Sequence, residues 1–377
     1  MNTSKHKTFL ALVMLAVWLV YTPRVLAQNS QVPGSSSWML LPIGYYKPET
    51  GVAIGAASAF NFYFAKHDSI SPASQLQLSA VITQKGQMSV ALPFNLYWKE
   101  RSHTLFGQFE YNDFNYDFYG VGANNLDGIS ENYHVRFPLF RINYLRKLTQ
   151  HWFAGLRWWY ENYQIYHKEK SPWLTSGNIV GGNGGISSGP GLVLMYDSRD
   201  NVYFSTNGYY LELVAQDQAK HWGSDFAFQR YRVDARVFHT LTRHWSLGTM
   251  LFVDITTGNV PFNQLASIGS DKRMRGFLYG RYRDNALFLY QGEVRGYFYK
   301  RWGATAFWNY AVMGTGIEKL SFHHDYLSAG LGLRYAFDKE KKTNIRLDVS
   351  APIGFGALDN IQHKNPFVFY LTLNEAF

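Results

Sequence analysis

Alternation with period two runs through most of this chain, and in its sharpest segments one face is apolar while the other is charged. Residues 226–239 set Arg230, Arg232, Asp234 and Arg236 against Tyr231, Val233, Ala235 and Val237. Residues 327–338 set Leu327, Leu331, Leu333, Tyr335 and Phe337 against Ser328, Gly330, Gly332, Arg334 and Asp338, and 344–351 oppose Asn344, Arg346, Asp348 and Ser350 to Ile345, Leu347, Val349 and Ala351. Successive side chains of a strand point to opposite faces, so each segment predicts a strand with one greasy and one polar side. Apolar outside and polar inside is the code of a membrane β-barrel; a soluble sandwich shows the same alternation inverted. After residue 27 no apolar stretch is long enough for a spanning helix, so any membrane role must use strands. The composition agrees: 18% aromatic residues and 33 glycines, with a mean hydropathy of only −0.23.

Lys5, His6 and Lys7, the apolar run Phe9 to Val20, Pro23 and the small-residue site Val25-Leu26-Ala27 before Gln28 read as a cleavable secretory signal over residues 1–27. The sequence has no cysteine, which leaves no lipid-accepting Cys, disulfide framework or thiolate metal site. Residues 1–27 hold three of the 36 Lys and Arg and none of the 27 acids, so the mature chain carries +6. That is mildly basic and without a cationic run, which argues against a nucleic-acid partner.

Sixteen segments read as strands: 38–47, 51–64, 74–84, 87–98, 103–112, 132–147, 151–166, 189–197, 208–216, 226–240, 244–255, 286–299, 302–312, 326–337, 343–350 and 366–376. A further strand between 256 and 270 would make the count odd, so that segment is assigned to a long loop. Odd-numbered connections include the long 113–131, 167–188, 256–285, 313–325 and 351–365; even-numbered ones include the tight 99–102, 148–150, 241–243 and 300–301. Long loops on one rim and tight turns on the other predict an antiparallel transmembrane barrel with its turns in the periplasm. Trp152, Trp245 and Trp302 each begin an upgoing strand and are expected at one height as an interfacial girdle; cross-strand packing would explain them too. No internal boundary appears, so residues 28–377 are expected to form one domain, with Gly181-Gly182-Asn183-Gly184-Gly185 as a mobile surface loop.

Tyr196-Asp197-Ser198-Arg199-Asp200-Asn201, followed by Thr206-Asn207-Gly208-Tyr209-Tyr210, resembles a turn signature of the bacterial surface antigen superfamily, the BamA/TamA-like outer-membrane barrels. Arg273-Met274-Arg275-Gly276-Phe277 resembles that family's Arg-Gly-Phe/Tyr loop motif before the twelfth strand. Tyr46-Lys47-Pro48-Glu49-Thr50-Gly51, Gly330-Leu331-Gly332-Leu333-Arg334-Tyr335, and Ile345-Arg346-Leu347-Asp348 ahead of Ala351-Pro352 match in the same order, over nearly the whole mature chain. The resemblance implies sixteen strands, the outer membrane as location, outer-membrane lipid and lipopolysaccharide as surroundings, and the barrel-assembly machinery as partner during insertion. It also implies that the loop before strand twelve folds into the lumen and that Arg275 pairs with an acid of the inner wall. On the polar face of 287–299 lie Gln291, Glu293 and Arg295, and Glu293 is the expected partner. Phe377, preceded at alternate positions by Phe369, Leu371 and Leu373, resembles the terminal aromatic signal of such barrels, although Glu375 breaks the apolar face.

The family's best-known members carry periplasmic polypeptide-transport-associated domains ahead of the barrel. Here residues 28–37 alone separate the expected cleavage site from the first strand, so those domains are expected to be lacking, or supplied by a periplasmic subunit.

Catalytic, cofactor and metal residues are not expected. Gly185-Ile186-Ser187-Ser188-Gly189 matches a nucleophile elbow, but a glycine loop precedes it and Pro190 with a strand follows. In His323-His324-Asp325 neighbouring side chains of an extended chain diverge, and His103 and His134 show no Ser-Asp constellation. Three readings of function stay open. The first, preferred on the resemblance, is a barrel that moves or inserts a protein or lipid client. The second is an anion-preferring pore lined by Arg230, Arg232, Arg236, Arg295, Arg334 and Arg346, offset by Asp234, Glu293 and Asp348. The third is a barrel-embedded lipid-modifying enzyme.

Overall fold

A computed structural model describes residues 36–65, 71–122, 130–168, 173–202, 204–320, 325–338, 343–353, 367–373 and 375–377. Within them the strands are β1 (Ser37–Lys47), β2 (Gly51–Phe62), β3 (Ser74–Thr83), β4 (Met88–Trp98), β5 (His103–Phe118), β6 (Glu131–Lys147), β7 (Trp152–Lys168), β8 (Gly185–Asp197) and β9 (Gly208–Gln218). They continue as β10 (Phe228–Thr240), β11 (Trp245–Gly258), the two-residue β12 (Ala266–Ser267) and β13 (Arg283–Asp284), β14 (Ala286–Tyr299), β15 (Trp302–Gly314), β16 (Asp325–Asp338), β17 (Thr343–Pro352) and β18 (Val368–Leu373). Sixteen of these close one antiparallel barrel, each paired with its chain neighbours and β1 with β18; β12 and β13 form a separate two-stranded piece.

The alternation sets which way each face looks. Leu331, Leu192 and Leu156 are exposed at 69%, 63% and 60%, whereas Arg275, Arg295, Arg334 and Arg346 are at most 1% exposed. In water each such leucine would forgo about 1.5–3 kcal/mol of burial, and a belt of them is stable only against hydrocarbon. The interior is neither empty nor uniformly polar. The connection between β11 and β14 enters the lumen, and Met274, Phe277, Ile268 and Tyr282 from it pack with Phe252, Leu289, Met313 and Tyr326 of the wall. A second cluster joins Phe262 and Leu265 of the same connection to Phe118, Tyr133 and Tyr163.

Several strands outrun their sequence-derived ends. β5 and β6 remain paired up to Phe118↔Glu131, and five pairs below that end, at Asp113↔Arg136, Arg136 reaches Asp113 at 2.9 Å on the outer face. A spanning strand needs about 9–11 residues, so the ends of these longer strands rise beyond the lipid, where the greasy alternation lapses and its signal fades. The last strand is shorter than expected, ending at Leu373, and residues 375–377 turn into the lumen. The glycine-rich stretch is packed against the inserted connection rather than standing clear of it: Phe262 N–H donates to Val180 O at 2.9 Å, and a Cβ on Gly181 would meet Pro261 Cβ at 2.6 Å. Trp152, Trp245 and Trp302 begin β7, β11 and β15 at the rim of short turns. Trp152 packs edge-on to Tyr196 and Trp302 to Tyr335, each with its register partner across the strands.

Candidate functional site

The inserted connection is shaped by backbone conformations that its sequence permits at few places. Gly269, Gly276 and Gly280 have φ of 91°, 109° and 67°, and Met274, not a glycine, is held at 55°. Such a conformation costs a side-chain-bearing residue on the order of 1 kcal/mol. Met274 is fully buried and its N–H donates to Gln291 Oε1 at 3.3 Å, so the wall supports the strained residue. At Gly276 two constraints coincide, since a Cβ there would also approach Ser328 Cβ to 3.0 Å. Its N–H donates to the Tyr370 hydroxyl at 3.3 Å.

That turn delivers Arg275 to the centre of a charge network. Its Nη2 stands 2.8 Å from Glu293 Oε2 of β14, and its Nη1 stands 2.7 Å from Asp348 Oδ2 of β17. The guanidinium lies 3.5 Å from the Phe307 ring centroid. The Arg275 carbonyl accepts from Ser328 Oγ at 2.6 Å and Asn309 Nδ2 at 3.2 Å. Breaking one side of a buried pair of this kind costs about 3–5 kcal/mol, because the remaining charge is left unanswered away from water. Here both carboxylates are shared. Arg295 reaches Glu293 at 3.0 Å and donates to the carbonyls of Phe377 and Ser205. Arg334 spans Asp348 at 2.6 Å and Glu375 at 2.8 Å.

A second tie runs through Asp271. Its carboxylate meets Lys47 of β1 at 2.8 Å and Arg346 of β17 at 3.1 Å. Burial raises the Asp271 carboxyl, but Lys47 and then Arg346 outweigh that and hold it below the usual carboxylate range. The remaining charges predicted for the lumen are also engaged: Arg230 and Arg232 both bind Asp254, and Arg236 binds Asp234. Sequence reasoning named neither Asp254, Asp271 nor Asp348 as a cation's partner. Asp254 follows Met250 and Phe252 on the inner face of β11, which conceals it, and nothing in a loop sequence marks Asp271.

The dismissed enzymatic motifs fall in different places. Ser187 and Ser188 lie near the start of β8, a strand that continues without a helix. His103 Nδ1 stands 2.7 Å from the Tyr144 hydroxyl in a stacked outer cluster with Trp98, and His134 packs against His167. His323 and His324 lie outside the described residues.

Residues 71–375 match the family model for the Omp85 superfamily domain. Solved structures with the same fold include BamA from Haemophilus ducreyi lacking POTRA domains 1–3, at 17% identity and a TM-score of 0.59, covering 90% of this chain and 70% of that one. CdiB from Acinetobacter baumannii matches at 11% identity and 0.59, over 90% and 59% of the two chains. CdiB from Escherichia coli matches at 10% and 0.63, over 92% and 64%. At these identities the likeness is one of fold, and the chain spans less than two thirds of either CdiB. No curated protein matches it.

Proposed function

We propose, because this chain belongs to the Omp85 superfamily and is an outer-membrane barrel, that it moves or inserts a protein or lipid client through an opening between β1 and β18. The observation that supports this reading is the asymmetry of that seam. β1 pairs with β2 along its whole length, from Ser37↔Asn61 to Lys47↔Gly51. Among the described residues it pairs with β18 only at Tyr46↔Leu371, while β18 is matched to β17 throughout. Beyond that pair, no ladder partner for the β1 edge stands among the described residues. An edge of this kind is a template for an incoming strand, and in hydrocarbon the incentive to complete it is larger than in water. From inside, Asp271 ties β1 to β17 across the strand that would part.

The test is to close the seam covalently. Tyr46→Cys with Leu371→Cys places two thiols at directly paired positions, where neighbouring backbones suit a disulfide. The oxidised variant is expected to lose support of client insertion or export in proteoliposomes carrying the outer-membrane extract, and to regain it on reduction. Full function while crosslinked would sink the lateral reading. A large steady current through the unmodified barrel in a planar bilayer would instead favour a passive pore.

A further inference from the structure

The inserted connection packs on β14–β18 through residues 268–282 and on β5–β7 through Phe262 and Leu265, and it leaves a chamber of about 420 Å³ against β5–β7, β10 and β11, within the range of about 300–1,000 Å³ usual for small-molecule sites. Arg230, Arg232, Asp254, Trp159, Glu110 and Glu161 line its wall, and Arg273 reaches in from the loop. Two features set this chamber apart from a plain water pocket.

The first is a concentration of cations on one wall. Arg230 and Arg232 share one carboxylate, Asp254. Asp234 is already held by both arms of Arg236 at 2.7 Å, and Arg273 approaches it only to 3.8 Å. Arg230, Arg232 and Arg273 therefore gather on one side of the lining around Asp254, while its other two carboxylates, Glu110 and Glu161, stand on the opposite wall. Arg232 and Arg273 also lie 5.5 and 3.7 Å from the centroid of one ring, Phe252. Burial, then the Arg232 charge, pulls Arg273 down to about 10. The carboxylates of the opposite wall are already engaged, Glu161 by the Asn263 and Gln264 amides and Glu110 by Asn112. The second feature is that the unanswered groups of the lining itself are donors. Arg232 Nε and Trp159 Nε1 in the lining, and Arg141 Nε and Gln216 Nε2 in the adjoining wall, are buried without a partner. A buried donor left unmade costs about 1–3 kcal/mol, and acceptor oxygens of an anion would answer several at once.

We propose that this chamber binds a small soluble oxyanion of the phosphate or sulfate class between Arg232 of the wall and Arg273 of the loop, with Trp159 Nε1 as an additional donor. Bound there, the ion holds the loop on the flank opposite Arg275, so plug retention follows the supply of the anion. The chamber lies inside the strand wall and is polar, which favours a free ion over the headgroup of a membrane lipid.

The test uses the full chain in a neutral detergent, with thermal unfolding and titration calorimetry against inorganic phosphate and against chloride at matched ionic strength. Phosphate is expected to stabilise the protein saturably and chloride not. Arg232→Gln and Arg273→Gln should each weaken phosphate binding roughly tenfold or more, Trp159→Phe less, and Arg273→Lys should retain part of it. Arg243→Gln, on an exposed turn, is expected to change nothing. Heat-modifiability on gels establishes that each variant is folded, so a lost response is not lost structure. Equal effects of chloride and phosphate, an undiminished response in both Gln variants, or a response to phosphatidylglycerol in the same micelles without one to phosphate would each overturn the proposal.

Discussion

Arg275 and Asp348 stand 2.7 Å apart, joining the inserted loop to β17, the neighbour of the seam strand β18, and neither side chain is exposed. The same guanidinium holds Glu293 on β14. One residue therefore clamps the loop to two wall strands that are not neighbours in the sheet. Arg275→Ala is expected to destabilise the folded barrel by about 3 kcal/mol, the lower end for a broken buried pair, because Arg334 and Arg295 still answer the two carboxylates. Arg275→Lys should recover only part of this, since an ammonium cannot span two carboxylates as a planar fork does. Urea midpoints and the temperature of the gel-mobility transition measure the effect; unchanged values in the Ala variant would mean that the loop is held by apolar packing alone.

Gly276→Ala tests the backbone rather than the charges. With φ at 109° and Ser328 Cβ at 3.0 Å from the new methyl, the substitution meets both a conformational penalty and a clash, together about 2 kcal/mol or more. The loop rather than the barrel should suffer, so limited proteolysis is expected to cut within 268–282 while the strands stay protected. Wild-type resistance there would show that the turn can relax.

What the sequence conveyed well was the direction of each side chain, because lipid outside and charge inside impose a period-two code on every spanning strand. Arg230, Arg232, Asp234, Arg236, Arg334, Arg346 and Asp348 could all be assigned to the lumen from that code alone. Pairing was less legible. Glu293 follows from the inner face of a single strand, whereas Asp348 lies 73 positions from Arg275 and meets it only through closure of the barrel. Glu375 looked like a flaw in an apolar strand face. It is the point at which the chain has left the sheet, and its carboxylate turns in to Arg334.

The Asp271 tie has a pH signature. Its carboxyl is held below the ordinary value of 3.8 by Lys47 and Arg346 against the effect of burial. A folded-state value below the unfolded one means the stabilisation is fully present above about pH 4 and is lost as the pH falls through the lower folded value. Asp271→Asn should remove it at every pH, at about 1–2 kcal/mol, a modest figure because Lys47 remains nearly a third exposed. Amide exchange on β1 and β18 is the measurement. It should be faster in the variant at pH 7, after correction for intrinsic rates, and the difference should shrink under acid as the wild type loses the same contact. Equal protection at pH 7 would separate Asp271 from the seam.

The inward turn of residues 375–377 makes the last strand depend on the lumen for its anchorage. Among the described residues β18 is six residues long and has one ladder pair with β1, little for a strand at a seam. Beyond it, Glu375 accepts from Arg334 at 2.8 Å and Asn344 at 3.0 Å. Phe377 packs on Phe238, with its carbonyl accepting from Arg295. Glu375→Ala takes from Arg334 one of its two carboxylates, leaving Asp348, and Phe377→Ala empties a buried aromatic site; about 2 kcal/mol and about 3 kcal/mol of lost stability are expected. Because both contacts act on the chain leaving β18, their loss should appear first as faster exchange of β18 amides, before any change in β14 or β15. Uniform loosening of the whole barrel would instead make the tail a general filler of the lumen, with no particular hold on the seam strand.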